Sequence, residues 1–247
     1  MDRLIYTAAT GARHLLEQQA TTSNNLANAT TTGFRAQLDS FRAVPVVSEG
    51  LPTRTFVVDN TVGSDFRSGA MQTTGRPLDV ALRGDGFIAV QSSDGSEAYT
   101  RNGSLKVSEN GMLQTSAGLT LVGENGPIAI PPDTEVAIAA DGTVSAIDTT
   151  QTKPGPSNVL GRIKLVNPEV KGLVRGDDGL FRNQSGLPAD ADQNVRLADG
   201  TLEGSNVNPI DAMVNMIALA RSFETQMSLL KNAEANAAKA TQILALN

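Results

Sequence analysis

The 247-residue sequence has no cysteine, no tryptophan and few other aromatic residues, with seven Phe and two Tyr. The absence of cysteine excludes disulfide frameworks, zinc ribbons, iron–sulfur ligation and thiol nucleophiles. Positive charge is also scarce, because 20 Lys and Arg are outnumbered by 26 Asp and Glu, which gives a net charge of -6. We therefore expect no nucleic-acid partner, since phosphate binding needs a clustered positive surface.

Long hydrophobic runs are missing as well. No run of about 18 apolar residues occurs, so we expect no direct membrane insertion. The opening MDRLIYTAATGARHLLEQQ lacks the basic region and the continuous apolar segment of a cleavable secretory signal. If the protein leaves the cytoplasm, another route must carry it.

Two candidate chemical sites are weak. Residues 84–86 and Ala89 match the G-x-G-x-x-A spacing of a dinucleotide site, but that motif must open a helix, and the next residues are the β-formers FIAVQ. A hairpin turn is the favoured interpretation. The single histidine, His14, lies on a helical segment, where a surface or interface role is more common than catalysis.

A calcium loop is also disfavoured. Asp190, Asp192 and Asn194 have its opening spacing, but Val195 stands where the sharp turn requires Gly. An acidic, solvated loop is therefore expected. We predict no catalytic residue, no cofactor site and no metal site. Paired carboxylates of a carbohydrate-active enzyme remain possible, although no pair stands out.

The N-terminal segment has the periodicity of a helix that packs along one narrow seam. Asp2 can cap its start, and the threonines at 30–32 with Gly33 predict an end near Ala29 to Gly33. The predicted seam residues are Ile5, Ala8, Ala12, Leu15, Gln19, Thr22, Leu26 and Ala29.

The C-terminal segment gives a stronger helix signal. Asn208 can cap the helix, Pro209 suits its first position, and Asp211 suits its first turn. The helix would be about 55 Å long, more than a compact domain of this size needs. Its predicted seam consists of Met213, Met216, Ala220, Phe223, Met227, Leu230, Glu234, Ala237, Thr241 and Leu244.

The middle of the chain reads as short strands separated by Asp–Gly and Asn–Gly turns, which is typical of an antiparallel β domain. The predicted strands are residues 78–83, 87–91, 98–101, 105–107, 119–123, 127–130 and 161–166. The turn dipeptides begin at Asp94, Asn102, Asn110, Asn125, Asp141, Asp178 and Asp199. Residues 41–68 have no clear pattern, and residues 149–158 are predicted to be a surface loop.

The predicted fold is mainly β with α. The discontinuous N- and C-terminal helices form a coiled-coil-like domain, and the central domain is antiparallel and β-rich. The predicted boundaries are 1–34 for the first helix and its Asn-rich end, 35–75 for a connecting segment, 76–200 for the β-rich domain and 201–247 for the second helix. Each helix covers only a narrow seam of the other, so we expect both ends to be mobile in the monomer and to order on self-assembly.

Four stretches resemble, in order, motifs of the bacterial flagellar basal-body rod and hook family. They are MDRLIYTAATGA, SNNLANATTTGFRAQ, TGRPLDVALRGDGFIAVQ and LEGSNVNPIDAMVNMIALARSFETQM. The opening motif and the modest length favour the proximal rod members. A distal rod or hook protein of the same family is an alternative, and a secreted β-rich carbohydrate-active enzyme is a more distant one.

The resemblance implies a structural axial subunit without enzymatic activity. In that family the terminal helices form an inner layer around the export channel, the β-rich domain faces outward, and the rod transmits torque. The implied partners are other flagellar rod proteins, further copies of the chain and the flagellar type III export apparatus. The implied location is the basal body in the periplasmic space, reached without a cleavable signal.

The resemblance and the seams together give the expected subunit-interface residues. The asparagines after the first helix offer amide donors and acceptors that suit directional contacts between subunits. The expected interface residues are Ile5, Leu15, Asn24, Asn25, Leu26, Asn28, Gly33, Phe34, Ser205, Asn206, Val207, Met213, Met216, Phe223, Met227 and Leu230.

Overall fold

A computed structural model describes residues 2–45, 55–148 and 157–245 of the chain. Within these ranges the chain forms two α-helices and eighteen β-strands. It divides into two compact units. The terminal unit comprises Met1–Ala29, Ala36–Asp65 and Val207–Asn247, and the β unit comprises Thr30–Arg35 and Phe66–Asn206.

The terminal unit contains α1 (Asp2–Ala27), β1 (Gln37–Pro45), β2 (Thr55–Ser64) and α2 (Pro209–Ala245). The two helices pack against each other, and α1 also packs against both strands. Asn208 caps α2 as predicted, because its Oδ1 accepts a hydrogen bond from the amide of Ile210 at 3.0 Å.

Helix α1 ends slightly earlier than the sequence predicts. The backbone amide of Asn28 donates to the carbonyl of Asn24 at 3.1 Å, and its side-chain amide donates to the same carbonyl at 2.9 Å. These bonds close the last turn, so the helix ends at Ala27. Thr30–Arg35 leave the helix and belong to the β unit.

Part of the segment that the sequence left unassigned is a hairpin. Strands β1 and β2 pair antiparallel from Gln37↔Ser64 to Pro45↔Thr55, with a register shift between Ser40 and Phe41. The ring of Phe41 meets His14 of α1 edge-on, with 5.8 Å between centroids. Residues 46–54 lie outside the described residues, as does most of the predicted loop at 149–158.

The β unit contains the remaining strands and a short 3₁₀ turn at Val170–Gly172. The strands are β3 (Met71–Thr73), β4 (Val80–Arg83), β5 (Phe87–Gln91), β6 (Glu97–Thr100), β7 (Leu105–Val107), β8 (Leu113–Thr115), β9 (Thr120–Gly123), β10 (Gly126–Pro127), β11 (Thr134–Ile138), β12 (Thr143–Asp148), β13 (Asn158–Arg162), β14 (Leu165–Val166), β15 (Leu173–Arg175), β16 (Phe181–Asn183), β17 (Arg196–Asp199) and β18 (Thr201–Glu203).

All pairings between the described strands are antiparallel, which confirms the predicted sheet type. The main sheet runs β15-β16-β6-β5-β9-β8-β7, with β10 beside β9 and β14 beside β5. Smaller sheets are β11-β12-β13, β17-β4 and β18-β3. The confirmed fold class is thus a β-rich chain with a helix at each end and an antiparallel sheet domain.

The predicted hairpin turn at residues 84–86 is wrong. It joins β4 to β5, but β4 pairs with β17, whereas β5 pairs with β6, β9 and β14. The turn therefore carries the chain from one sheet to another. The reason is that β4 finds its partner more than a hundred residues away, which local turn chemistry does not indicate.

The core of the β unit lies between its sheets. Ile88, Leu105, Leu113 and Ile163 are completely buried in the larger apolar cluster. A second cluster is aromatic: the ring of Phe181 lies 5.4 Å from that of Phe87 and 5.3 Å from that of Phe66.

Tyr99 lies in the aromatic cluster with its hydroxyl engaged on both sides. The hydroxyl donates to Glu97 Oε1 at 3.1 Å and accepts the amide of Ala189 at 2.6 Å. Burial raises the pKa of Tyr99 to about 12. Lys164 donates to both oxygens of Glu97, at 2.9 and 2.8 Å.

Among the described residues, no helix combines the length and the hydropathy needed to cross a membrane.

Candidate assembly surfaces

The Asn-rich end of α1 divides between the two units. In the terminal unit, the Asn25 side chain donates to the carbonyl of Gln37 at 2.9 Å and accepts the Gln37 amide at 2.8 Å. It thereby pairs with the first residue of β1 as a neighbouring strand would. The Asn24 side chain is exposed. A role of Asn25 in subunit contact stays a prediction, and its amide already binds within the chain.

The second half of the motif folds into the β unit. Gly33 has φ +69°, a conformation that side-chain-bearing residues rarely adopt. Its amide donates to the carbonyl of Glu203 at 2.7 Å, and a Cβ here would collide with the backbone of Arg101. Phe34 is buried beneath the guanidinium of Arg175, whose carbon lies 4.3 Å from the ring centroid.

The start of the C-terminal motif lies beside this segment. The amide of Asn206 donates to the carbonyl of Phe34 at 3.3 Å, and its side chain donates to the carbonyl of Arg67 at 2.9 Å. Ser205 is half-buried in the β unit, and Val207 begins the last segment of the terminal unit. The structure therefore brings Phe34 and Asn206, two of the predicted interface residues, into direct contact.

A buried ion cluster near this contact was missed by the sequence analysis. The carboxylate of Glu203 is completely buried and binds Arg35 Nη2 at 2.7 Å and Arg101 Nη1 at 2.8 Å. Arg101 also donates to the carbonyls of Gly84 and Gly86. The members are far apart in sequence, so no local spacing reveals them. The available signal was an acidic residue in a short strand flanked by Gly.

The inner face of α1 follows the predicted seam. Ala8 and Ala12 are buried, and Leu15 and Leu26 are half-buried. Ile5 also lies in α1, but its side chain is outside those described.

The inner face of α2 differs by one position from part of the predicted seam. Met216, Phe223 and Leu230 are half-buried at seven-residue intervals, as expected. Met213 and Met227 are exposed, at 52% and 37%. Ala212 and Gln226 turn inward instead, whereas the predicted Ala220 is half-buried together with its neighbour Leu219. Both columns contain apolar residues, so periodicity alone could not choose between them.

An apolar stripe remains on the outer side of α2. We call Ile210, Met213, Val214 and Ile217 the outer stripe; they are 70%, 52%, 60% and 56% exposed. Their spacing of three, four and seven residues places them on one helical face. Soluble monomers rarely leave large contiguous apolar surface exposed, and such surface marks interaction sites.

No group of three or more His, Asp or Glu residues in the described ranges could hold a metal ion.

Three family models match the chain in order. "Flagella basal body rod protein" matches residues 5–35, "Flagellar hook protein FlgE/F/G D1 domain" matches residues 81–146, and "Flagellar basal body rod FlgEFG protein C-terminal" matches residues 198–243. The first and last cover the two terminal motifs, and the middle one covers much of the main sheet.

Curated relatives match over the whole length. The chain is 50% identical over 257 residues to flagellar basal-body rod protein FlgF of Escherichia coli (strain K12), with 100% of both chains covered. It is 47% identical over 253 residues to FlgF of Salmonella typhimurium (strain LT2), again with 100% of both covered. It is 31% identical over 244 residues to basal-body rod protein FlgG of Buchnera aphidicola subsp. Acyrthosiphon pisum, with 90% of this chain and 92% of the relative covered.

Proposed function

We propose that α1 and α2 make the subunit contacts of this chain, which belongs to the flagellar basal-body rod protein family and is a structural subunit of that rod. The observation that carries the proposal is the outer stripe of α2, whose four apolar side chains are each more than half exposed. The exposed Tyr6 and Leu16 give α1 an outward apolar surface as well.

The physical argument is the free energy of covering these side chains. Removing a half-exposed Val, Ile or Met from water contributes about 1 kcal/mol. Four such residues on one helix face can therefore stabilise a helix–helix contact by several times thermal energy, before the cost of association. A neighbouring subunit that offers the same two helices can cover the outer stripe of α2 and the exposed apolar residues of α1 in a coiled-coil-like inner layer.

The proposed assembly assigns a role to each region. Helices α1 and α2, within the predicted segments 1–34 and 201–247, form the inner layer that lines the export channel, 35–75 connect, and 76–200 face outward. Subunit contact also involves the sixteen interface residues named above, of which Asn24 and Met213 are exposed in the free subunit. Torque then passes through the helical layer from one subunit to the next, a mechanical role without catalysis.

We also propose the place of the subunit and its route. Its neighbours are further copies of the chain and adjacent rod proteins, and its position is the proximal rod in the periplasmic space. In the family that the sequence resembles, FlgF is a proximal rod member. The greater identity to the E. coli FlgF than to the Buchnera FlgG therefore supports the proximal position over a distal rod or hook position. Delivery is by the flagellar type III export apparatus.

The proposal is tested by placing charge on the outer stripe. In a bacterium that depends on this gene for motility, we expect Val214→Asp with Ile217→Asp to abolish swimming and to remove the protein from purified basal bodies. The β unit should melt at the wild-type temperature, because both side chains point into solvent in the free subunit.

Leu187→Asp is the matched control. Leu187 is 69% exposed, like the outer stripe, but lies in the β unit. We expect this variant to swim and to enter basal bodies. Normal incorporation of the double α2 variant would contradict the proposed contact surface.

A further inference from the structure

Three segments of the β unit adjoin the points where the chain passes to the terminal unit. They are residues 30–35, residues 66–70 and residues 203–206. Each segment is therefore continuous in the chain with a residue of the terminal unit.

The side chain of Glu203 joins all three segments. Its Oε1 accepts Arg35 Nη2 from the first segment at 2.7 Å and the amide of Gly69 from the second at 2.9 Å. Its Oε2 accepts Arg101 Nη1, at the end of β6, at 2.8 Å. One carboxylate thus connects residues that are 168, 134 and 102 positions away in the sequence.

Backbone bonds close the same joint. The Gly33 amide donates to the carbonyl of Glu203 at 2.7 Å, and the Gly204 amide donates to the carbonyl of Ala70 at 2.8 Å. A Cβ on Gly69 would collide with the carbonyl of Gly204. The segments therefore approach backbone to backbone, and the carboxylate fills the space between them.

The electrostatics make this joint specific. Glu203, Arg35 and Arg101 are all buried, so each has lost its hydration. A buried pair adds little net stability over an apolar replacement, but removal of one partner leaves the others uncompensated. The cluster therefore disfavours every arrangement in which one of the three segments is displaced.

We propose that Glu203 is a positioning residue, the centre of a latch that holds the three connecting segments in one arrangement in the free subunit, before any neighbour binds. The latch is defined as Glu203, Arg35, Arg101 and the backbone of Gly33, Gly69 and Asn206. Its action does not depend on the proposed contacts of α1 and α2.

Amide hydrogen exchange on the dilute, full-length chain tests the latch. In Glu203→Gln the side chain keeps its shape, but two buried guanidinium groups lose their counter-charge. We expect exchange at the amides of Gly33, Gly69 and Asn206 to accelerate together by about tenfold or more. The amides of Leu113 and Ile163, which donate to the carbonyls of Ile128 and Gly142 in the β unit, should exchange at their wild-type rates.

Arg35→Met tests whether a change in residues 30–35 affects the amides of the other two segments. The Arg35 Nη2 and the amide of Gly69 both bond to Glu203 Oε1, so loss of the Arg35 side chain can reach Gly69 through this carboxylate. We expect the same set of amides to respond, by a similar factor. Arg35→Lys, which keeps the charge but loses the planar fork, should give a smaller increase and serves as the measurement if Glu203→Gln does not fold.

Glu97→Gln is the matched control, because Glu97 is also an ion-paired carboxylate of the β unit. It should leave all three latch amides unchanged. If Glu203→Gln accelerates exchange only at Gly69, or if Arg35→Met affects neither Gly69 nor Asn206, the ion cluster is a local pairing and the latch is excluded. Exchange is measured without assembly, so this outcome is separate from failure of the α2 contact.

Discussion

Some residues of the Asn-rich motif make hydrogen bonds within the chain. Asn25 bonds to the backbone of Gln37, and Gly33 bonds to the backbone of Glu203. Loss of assembly after substitution of either residue would therefore report on subunit folding as well as on contact. Asn24, whose side chain is exposed, is the better position at which to test the predicted amide contacts.

Gly33 gives a residue-scale prediction with a matched control. Gly33 and Gly75 have φ values of +69° and +71°, so alanine pays the same backbone strain at both, about 1–2 kcal/mol. At Gly33 the new Cβ also meets the backbone of Arg101, whereas nothing lies within 4 Å at Gly75. We expect Gly33→Ala to lower the free energy of unfolding of the β unit by at least about 2 kcal/mol more than Gly75→Ala.

Urea unfolding of the two variants, followed by tyrosine fluorescence, measures this difference. Tyr99 lies in the aromatic cluster of the β unit and reports on its unfolding. Equal losses at both positions would contradict the close approach of residues 30–35 to Arg101.

At the scale of the elements, aspartates that begin hairpin turns stabilise those turns. Asp141 accepts the amide of Thr143 at 3.0 Å and its hydroxyl at 2.9 Å, and these bonds hold the pKa of Asp141 below its usual value of 3.8. At the β15–β16 turn, hydrogen bonds from Arg182 lower the pKa of Asp178, with a further contribution from the amide of Leu180.

These shifts predict how acid affects the β unit. Because the pKa values of Asp141 and Asp178 are lower in the folded than in the unfolded chain, their stabilisation is complete above the unfolded pKa. It is lost as pH falls from about 4 through the folded pKa values. We expect the urea midpoint to fall over that range. In the double variant Asp141→Asn with Asp178→Asn, the urea midpoint should be lower at neutral pH and should fall less steeply with pH. An unchanged pH dependence of the midpoint would contradict the role of these two carboxylates.

The same elements show what the sequence could predict. Five of the seven turn dipeptides, those at Asp94, Asn110, Asn125, Asp141 and Asp178, join strands that pair with each other. Those at Asn102 and Asp199 do not, because the flanking strands pair elsewhere. Turn chemistry is local, whereas pairing such as β4 with β17 depends on the whole sheet.

The candidate surfaces were predictable to a similar extent. The cap at Asn208 followed from local residue preferences. The half-buried residues Met216, Phe223 and Leu230 followed from their seven-residue spacing, which places them on one helix face. The choice between Ala212 and Met213 did not, since both are apolar. The Glu203 ion cluster could not be predicted from spacing, because its members are far apart in the sequence and meet only in the folded chain.

For the whole molecule, the two units have very different cores. The β unit buries large side chains such as Leu82, Ile88 and Leu113 completely. In the terminal unit, the buried apolar side chains among those described are three alanines, Ala8, Ala12 and Ala212. Alanine contributes little transfer free energy, so these described side chains offset little of the entropy of ordering two long helices.

The difference predicts that the terminal unit gains its stability from neighbours. In a dilute sample of the free chain, we expect the amides of residues 5–28 and 213–244 to exchange far faster than those of the sheets. These amides should become protected when the chain assembles, because a partner that binds only the ordered helices stabilises them by mass action. Ile217→Asp should abolish the gain in protection on assembly while leaving exchange in the dilute chain unchanged. Strong protection of both helices in the dilute free chain would show instead that the terminal unit is stable alone, and the outer stripe would then act on a preformed surface.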